Sequence, residues 1–157
     1  MSDAARLPRR RVSSASGDMT RSTRGGQADL SVVDDALRSV SGKDANIYGM
    51  LVASADGLVL ATDTRDIHVE TVAAMAAAAA SIAIQFTSQA DIGDSRASIF
   101  EGATGYVAVF PVEPSVLLVV FGQKDLTMGM FNIAARNALA ALQEAIRRRR
   151  MIKAREI

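Results

Sequence analysis

The sequence predicts an α+β sandwich, in which a five-stranded antiparallel sheet carries helices on its faces. Three observations support this fold class: an Asp-Gly pair between two β-prone runs, a long helical segment after them, and three further β-prone runs before a final helix. The order is helix, two strands, helix, three strands, helix. Because short turns join the consecutive strands, they are expected to run antiparallel.

The clearest local signal is a hairpin. Residues 47–54 and 58–62 are rich in Val, Leu and Ile, and Ala55-Asp56-Gly57 lies between them. Glycine tolerates the positive φ that a tight turn requires, so an Asp-Gly pair between two such runs predicts paired strands.

The chain before the hairpin divides into a tail and a helix. Residues 1–28 are predicted to be a disordered basic tail with Gly25-Gly26 as a hinge near its end, because Arg, Ser, Gly and Thr dominate and no apolar period is present. A helix is predicted from Asp29 to Val40, with Asp29 as its candidate N-cap. The domain is then expected to span residues 29–146, and residues 147–157 to form a basic C-terminal tail that extends the last helix.

The second helix is predicted over residues 67–90. Asp66 and Glu70 lie near its start, where negative charge is favourable. No charged residue occurs between Thr71 and Ala90, a length sufficient to cross a bilayer. Many of these residues are small or polar, so we expect a globular helix instead. The stripe expected to face the core comprises Val69, Val72, Met75, Ala76, Ala79, Ile82, Ala83 and Phe86.

Three strands and a helix complete the predicted domain. The strands are expected at residues 95–101, 106–111 and 116–122, and the helix at residues 126–150 with Asp125 as its candidate cap. The last strand is apolar without alternation, which is typical of a central strand covered on both faces.

Composition excludes most kinds of catalytic site. Cysteine is absent, so disulfides, thiolate nucleophiles and zinc–thiolate sites are excluded. His68 is the only histidine, and we expect it to be a polar residue at the start of the second helix; a metal site with Asp66 and Glu70 is the alternative. Residues 41–44 lack the upstream glycine and the following Ser or Thr of a phosphate-binding loop. No catalytic residue, cofactor or metal is therefore predicted.

Charge is distributed unevenly along the chain. The net charge of +1 combines +4 over residues 1–28, −8 over residues 29–146 and +5 over residues 147–157. The consecutive arginines Arg147, Arg148, Arg149 and Arg150 have three interpretations. They could be a solvated helix end stabilised by the helix dipole, or a docking element for an anionic membrane or another acidic partner. Nucleic acid is disfavoured, because no aromatic residue is interleaved with them.

The stretch from Gly49 to Thr62 (GMLVASADGLVLAT) resembles the first hairpin of the roadblock/LC7 family. The uncharged, Ala-rich second helix is similar to that family's, and residues 126–130 (LTMGM) resemble the turn that enters its last helix. The resemblance covers residues 29–146. It implies that the second helix covers one face of the sheet and the terminal helices the other. It also implies a dimer, in which second helices pair and sheets join edge to edge.

The resemblance also implies a function. Members of the family include a bacterial gliding-motility regulator that activates a Ras-like GTPase, proteins encoded beside small GTPases, and dynein light chains. We therefore expect a homodimeric, non-enzymatic regulator or adaptor of a small Ras-like GTPase. A cytoplasmic location is expected because no signal peptide is visible. The alternatives are a structural interaction module for a kinase or motor complex, and association with membrane or nucleic acid through the basic tails.

Two sets of residues on the second helix are expected to form protein contacts. A stripe of small residues lies about 120° or more from the centre of the predicted core stripe, and we expect it to form the dimer interface. This stripe comprises Ala73, Ala77, Ala80 and Ile84. The candidates for binding a partner are the outward polar residues Thr71, Ser81, Gln85 and Ser88.

Overall fold

The secondary structure follows the predicted order. The computed structural model describes residues 22–157, with side chains from residue 29 onward. The helices in this part of the chain are α1 (Ser22–Val40), α2 (Val69–Gln89) and α3 (Met128–Arg155). The strands are β1 (Ile47–Ser54), β2 (Val59–Asp63), β3 (Ser98–Glu101), β4 (Gly105–Glu113) and β5 (Val116–Gln123).

The strands form one antiparallel sheet in the order β2-β1-β5-β4-β3. The predicted hairpin is β1–β2, with Gly57 in its turn at a φ of 90°. β3, β4 and β5 form a second antiparallel unit. The two units join where β5 pairs with β1, from Ser54 opposite Val116 to Ile47 opposite Gly122.

The two faces of the sheet are covered by different helices. In β1, Met50 and Val52 belong to the core shared with α1 and α3, whereas Leu51 and Ala53 belong to the core beneath α2. This alternation follows from the two-residue period of a strand. The α+β sandwich is therefore confirmed, with α2 on one face and the terminal helices on the other.

The central strand β5 is buried on both faces. Leu118 and Val120 contribute to the core of α1 and α3, while Leu117, Val119 and Phe121 contribute to the core of α2. A strand between two neighbours and two helical layers has no solvated face, which explains its unbroken apolar run.

Aromatic packing fixes α3 against the sheet. The Phe131 ring stacks on Tyr106 with 5.1 Å between ring centroids. A Cβ atom at Gly122 would clash with the Phe131 ring, so this glycine permits the close approach. The Tyr106 hydroxyl donates to the carbonyl oxygen of Leu126 at 3.0 Å, which satisfies a buried polar group.

The start of α1 differs from the prediction. The helix begins at Ser22 and includes Gly25-Gly26, so Asp29 lies inside the helix and is not its N-cap. The helix penalty of a glycine is only about 1 kcal/mol, which is too small to fix a boundary against the remaining context. The predicted disorder therefore extends too far over residues 22–28. For residues 1–21 that prediction lies outside the described residues.

The start of α3 also differs. Its N-cap is Thr127, whose Oγ1 accepts a hydrogen bond from the backbone N–H of Met130 at 3.2 Å, so Asp125 is not the cap. Hydroxyl and carboxylate side chains both cap helices well, and the sequence offered one of each. At its other end α3 runs to Arg155, so the basic C-terminal segment continues this helix.

Candidate functional site

The side of α2 that faces the sheet consists mostly of small side chains. Ala73 and Ala76 are buried. Their partly buried neighbours in the same core cluster are Val69, Val72, Ala77 and Ala80. Small contact residues allow a helix to lie close to its neighbours. A Cβ atom on Gly57 would accordingly lie only 3.1 Å from the Cα of Ala74.

The predicted dimer stripe lies mostly on the sheet side of α2. Ala73 is fully buried, and Ala77 and Ala80 are partly buried against the same core. Ile84 is the exception: it is 61% exposed. The prediction placed the larger side chains in the core because burial energy grows with apolar area. Helical periodicity identifies a stripe, but it does not identify what the stripe faces.

The large apolar side chains of α2 point to solvent instead. Met75, Ile82 and Phe86 are 65%, 53% and 72% exposed, so their predicted place in the core is wrong. Their spacing of seven and four residues puts them on one side of the helix. An exposed row of large apolar side chains marks an interaction surface.

The neighbouring sheet edge adds a fourth apolar residue. Ile99 of β3 packs against the α1/α3 core, so Phe100 points to the α2 face, where it is 51% exposed. Within the described chain β3 pairs only with β4, which leaves the backbone groups on its other edge without a strand partner. We call Met75, Ile82, Phe86 and Phe100 the apolar surface.

A cleft of about 760 Å³ lies between the C-terminal half of α2, the loop after it and the β4–β5 turn. Its polar lining residues are Ser81, Thr87, Ser88, Ser95, Ser98, Asp91, Asp94 and Glu113. Ile84 and Leu117 contribute to its apolar lining. Of the four residues predicted to bind a partner, Ser81 and Ser88 line this cleft. Thr71 and Gln85 are exposed on α2 outside it.

The consecutive arginines of α3 have different environments. Arg150 donates to both carboxylate oxygens of Glu113 in β4, at 2.6 and 3.2 Å, and these hydrogen bonds raise the pKa of Arg150. Arg149 lies 3.6 Å from the Asp35 carboxylate of α1. Arg147 and Arg148 instead bond to Glu144 on α3 itself, and Arg148 contributes most to lowering the pKa of that carboxyl group.

The described residues contain no cluster suited to metal binding. No group of three or more His, Asp or Glu side chains between residues 29 and 157 is arranged to hold a metal ion. The alternative of a site at Asp66, His68 and Glu70 is therefore not formed. His68 is the N-cap residue of α2, and its side chain makes no capping hydrogen bond.

Helix α2 has the length and hydropathy of a membrane span, with a mean hydropathy of 1.6 over its most apolar window. Its contacts explain this composition differently. One side packs on the sheet through Ala73 and Ala76, and the exposed Met75, Ile82 and Phe86 lie away from that contact. The helix is therefore a layer of the sandwich that also carries an uncovered apolar row.

Comparisons with known proteins agree with this fold. The family model of the Roadblock/LC7 domain matches residues 34–121. A Roadblock/LC7 domain from Streptomyces avermitilis superposes with a TM-score of 0.63 at 19% identity, covering 75% of this chain and 97% of that one. No curated protein sequence matches significantly.

Two further solved structures have the same fold. Myxococcus xanthus MglB has a TM-score of 0.59 at 14% identity and covers 79% of this chain and 91% of its own. The gliding protein MglB of Thermus thermophilus has a TM-score of 0.59 at 16% identity, over 78% and 90% of the two chains. Together with the match over more than half of the sequence, the antiparallel sheet and its helical layers show that this chain belongs to the roadblock/LC7 family.

Proposed function

We propose that this protein is a homodimeric, non-enzymatic regulator or adaptor of a small Ras-like GTPase. The observation that carries the proposal is the apolar surface, which a monomer leaves in water. Membership of the roadblock/LC7 family supports the proposal, because the family resemblance implies both self-association and a GTPase partner.

The dimer is proposed to form through the apolar surface and the free edge of β3. Met75, Ile82 and Phe86 would pack against the same residues of a second α2, since a two-fold interface uses one patch twice. β3 would pair with its counterpart, so its unpaired N–H and C=O groups gain partners. Phe100, which points to the α2 face of β3, would be covered by the same interface.

The GTPase is proposed to contact the polar side of α2 and the cleft beside it. Ser81 and Ser88 offer hydroxyl groups, and Asp91 and Asp94 offer carboxylates, in an opening large enough for side chains of a protein partner. By helical arithmetic these serines lie about 100° or more around α2 from Met75, Ile82 and Phe86, so a dimer through the apolar surface would leave them accessible.

A catalytic role for this chain itself is not part of the proposal. The sequence contains a single histidine and no cysteine, and residues 41–44 do not match a phosphate-binding loop. We propose that the protein acts in the cytoplasm by positioning groups that the GTPase already possesses.

The dimer is tested by introducing a charge into the apolar surface. Ile82→Arg should weaken dimerisation about a hundredfold or more, since an unpaired buried charge costs roughly 3–5 kcal/mol. Light scattering should then report a mass near the 16.6 kDa of one chain, with an unchanged circular dichroism spectrum.

Ile133→Arg is the matched control, because Ile133 is 64% exposed on α3, on the opposite side of the sheet. This variant should remain dimeric. A dimeric Ile82→Arg variant, or a monomeric wild type, would contradict the proposed interface.

The GTPase contact is tested by Ser81→Glu/Gln85→Glu. The GTPase that co-purifies with the tagged protein would be titrated calorimetrically, and its GTP hydrolysis measured with and without the protein. We expect about tenfold or more weaker binding, because two carboxylates join a surface that is already acidic. The dimer should persist, and the protein alone should hydrolyse no GTP.

Asn137→Glu/Ala140→Glu on α3 adds the same charge at exposed positions on the other face, and should bind normally. If the wild type and both double variants bound the GTPase equally well, the contact would lie elsewhere than on the polar side of α2. Binding with no change in GTP hydrolysis would favour an adaptor over an activator.

A further inference from the structure

The six cations of the C-terminal segment divide into two groups that face in different directions. Arg149, Arg150 and Lys153 face the body of the domain. Arg149 pairs with Asp35, Arg150 with Glu113, and Lys153 Nζ donates to the Ser31 hydroxyl at 2.6 Å. These contacts join α3 to α1 and β4. We call these three residues the inner group.

Arg147, Arg148 and Arg155 form the outer group. The side chains of Arg147 and Arg148 are 71% and 73% exposed, and they share one carboxylate, Glu144, one turn away on the same helix. Arg155 makes no ion pair with any residue that the structure describes. The outer group therefore presents three guanidinium groups against one carboxylate.

Two exposed apolar side chains lie among the outer arginines. Met151 is 55% exposed and Ile152 is 57% exposed. Arg147, Met151 and Arg155 follow one another at four-residue spacing, so they form a row along one side of α3. Ile152 lies four residues after Arg148, so these two residues form a second row beside the first. Ile146 is the last buried residue of α3, so this row lies beyond the part of the helix that contributes to the apolar core.

We propose that Arg147, Arg148, Arg155, Met151 and Ile152 form a docking surface for an anionic lipid bilayer. Apolar side chains that enter the headgroup region, flanked by cations that meet anionic lipids, are the combination that holds a helix at a membrane surface. A nucleic acid would use the cations alone and leave Met151 and Ile152 in water. The surface lies on the helix that packs opposite α2, so docking leaves the apolar surface of α2 accessible, and the inference does not depend on the GTPase partner.

The test measures binding of the full-length protein to vesicles. The vesicles contain phosphatidylcholine alone or phosphatidylcholine mixed with phosphatidylserine, at low and at high salt. We expect binding only to the vesicles with phosphatidylserine, and weaker binding at high salt because salt screens exposed charges. The outer variant Arg147→Gln/Arg148→Gln/Arg155→Gln should lose roughly tenfold or more in affinity, since each cation near an anionic membrane contributes substantially.

A control variant removes the same number of positive charges at other positions. The inner variant Arg149→Gln/Arg150→Gln/Lys153→Gln should keep most of the binding but unfold at a lower temperature. If it does not fold, Arg65→Gln/Arg96→Gln/Arg136→Gln replaces it, since these three arginines are exposed in the loops before and after α2 and in the first half of α3. An equal loss of binding in the outer variant and its control would overturn the proposal, because binding would then follow net charge.

The apolar contribution is tested separately. Met151→Ser/Ile152→Ser should weaken vesicle binding, whereas Met130→Ser/Ile133→Ser, at similarly exposed positions near the start of α3, should not. Unchanged vesicle binding in both the outer variant and Met151→Ser/Ile152→Ser would overturn the proposal. So would an outer variant that loses affinity for a single-stranded RNA while its vesicle binding is unchanged.

Discussion

Helices α2 and α3 differ in whether their largest apolar side chains face the sheet or the solvent. α3 buries Phe131, Leu142 and Ile146 against the sheet, as expected for a helix that completes a core. α2 buries Ala73 and Ala76 against the other face and leaves its largest apolar side chains in solvent. Both are long amphipathic helices on the same sheet, so the difference does not arise from secondary structure.

The difference shows which face of the sheet is fully covered by helices of the same chain. Two helices cover the α1/α3 face, and the side chains between them fill the space. One helix covers the other face, and it lies close because alanines form its contact. A helix that buries its small residues and exposes its large ones fits the proposed dimer, in which a second copy would cover the exposed row.

The largest expected effect is the loss of a buried ring from α3. Phe131→Ala should lower the free energy of unfolding by about 3–5 kcal/mol, because it leaves a cavity against Gly122 and Tyr106. Urea unfolding measured in the Ile82→Arg background removes any contribution of a second copy. In that background Phe86→Ala should change the unfolding free energy by less than about 1 kcal/mol, since its ring is exposed. Comparable losses at the two positions would show that α2 also buries its large residues.

A smaller effect is expected from enlarging an alanine beneath α2. In the same Ile82→Arg background, Ala73→Leu should destabilise the fold by about 1–3 kcal/mol, because its side chain is fully buried against the sheet and has no space to extend. In that background Ala78→Leu, at an exposed position of the same helix, should be within about 0.5 kcal/mol of the parent. If Ala73→Leu were harmless and Ala78→Leu costly in thermal unfolding, the orientation of α2 would have to be reversed.

Much of this architecture was predictable because its signals are local. The Asp56-Gly57 turn, the apolar run of β5 and the uncharged stretch of α2 each depend on neighbouring residues, and each has its expected place in the structure. The match to the Roadblock/LC7 domain confirms the family that the hairpin indicated.

The orientation of α2 was not predictable in the same way. A helix with apolar residues on several sides has two possible inner faces, and the choice depends on how closely the sheet approaches. The pairing of Arg149 with Asp35 and of Arg150 with Glu113 depends on distant segments that only the fold brings together. A run of four arginines looks uniform in a sequence, although Arg147 and Arg148 pair with Glu144 on their own helix while Arg149 and Arg150 pair with other elements.

The place of β5 between β1 and β4 has a consequence for how the chain acquires its structure. During synthesis the β1–β2 hairpin leaves the ribosome early, but the other edge of β1 has no strand partner until residues 116–123 follow. The β3–β4 pair also depends on β5, because β4 joins the rest of the sheet only through that strand. Because the pairing of β1 with β5 closes a long loop, it is expected to be slow relative to the formation of either hairpin. The complete sheet therefore forms only when β5 pairs with β1, and until then both halves expose edges to which other chains can add.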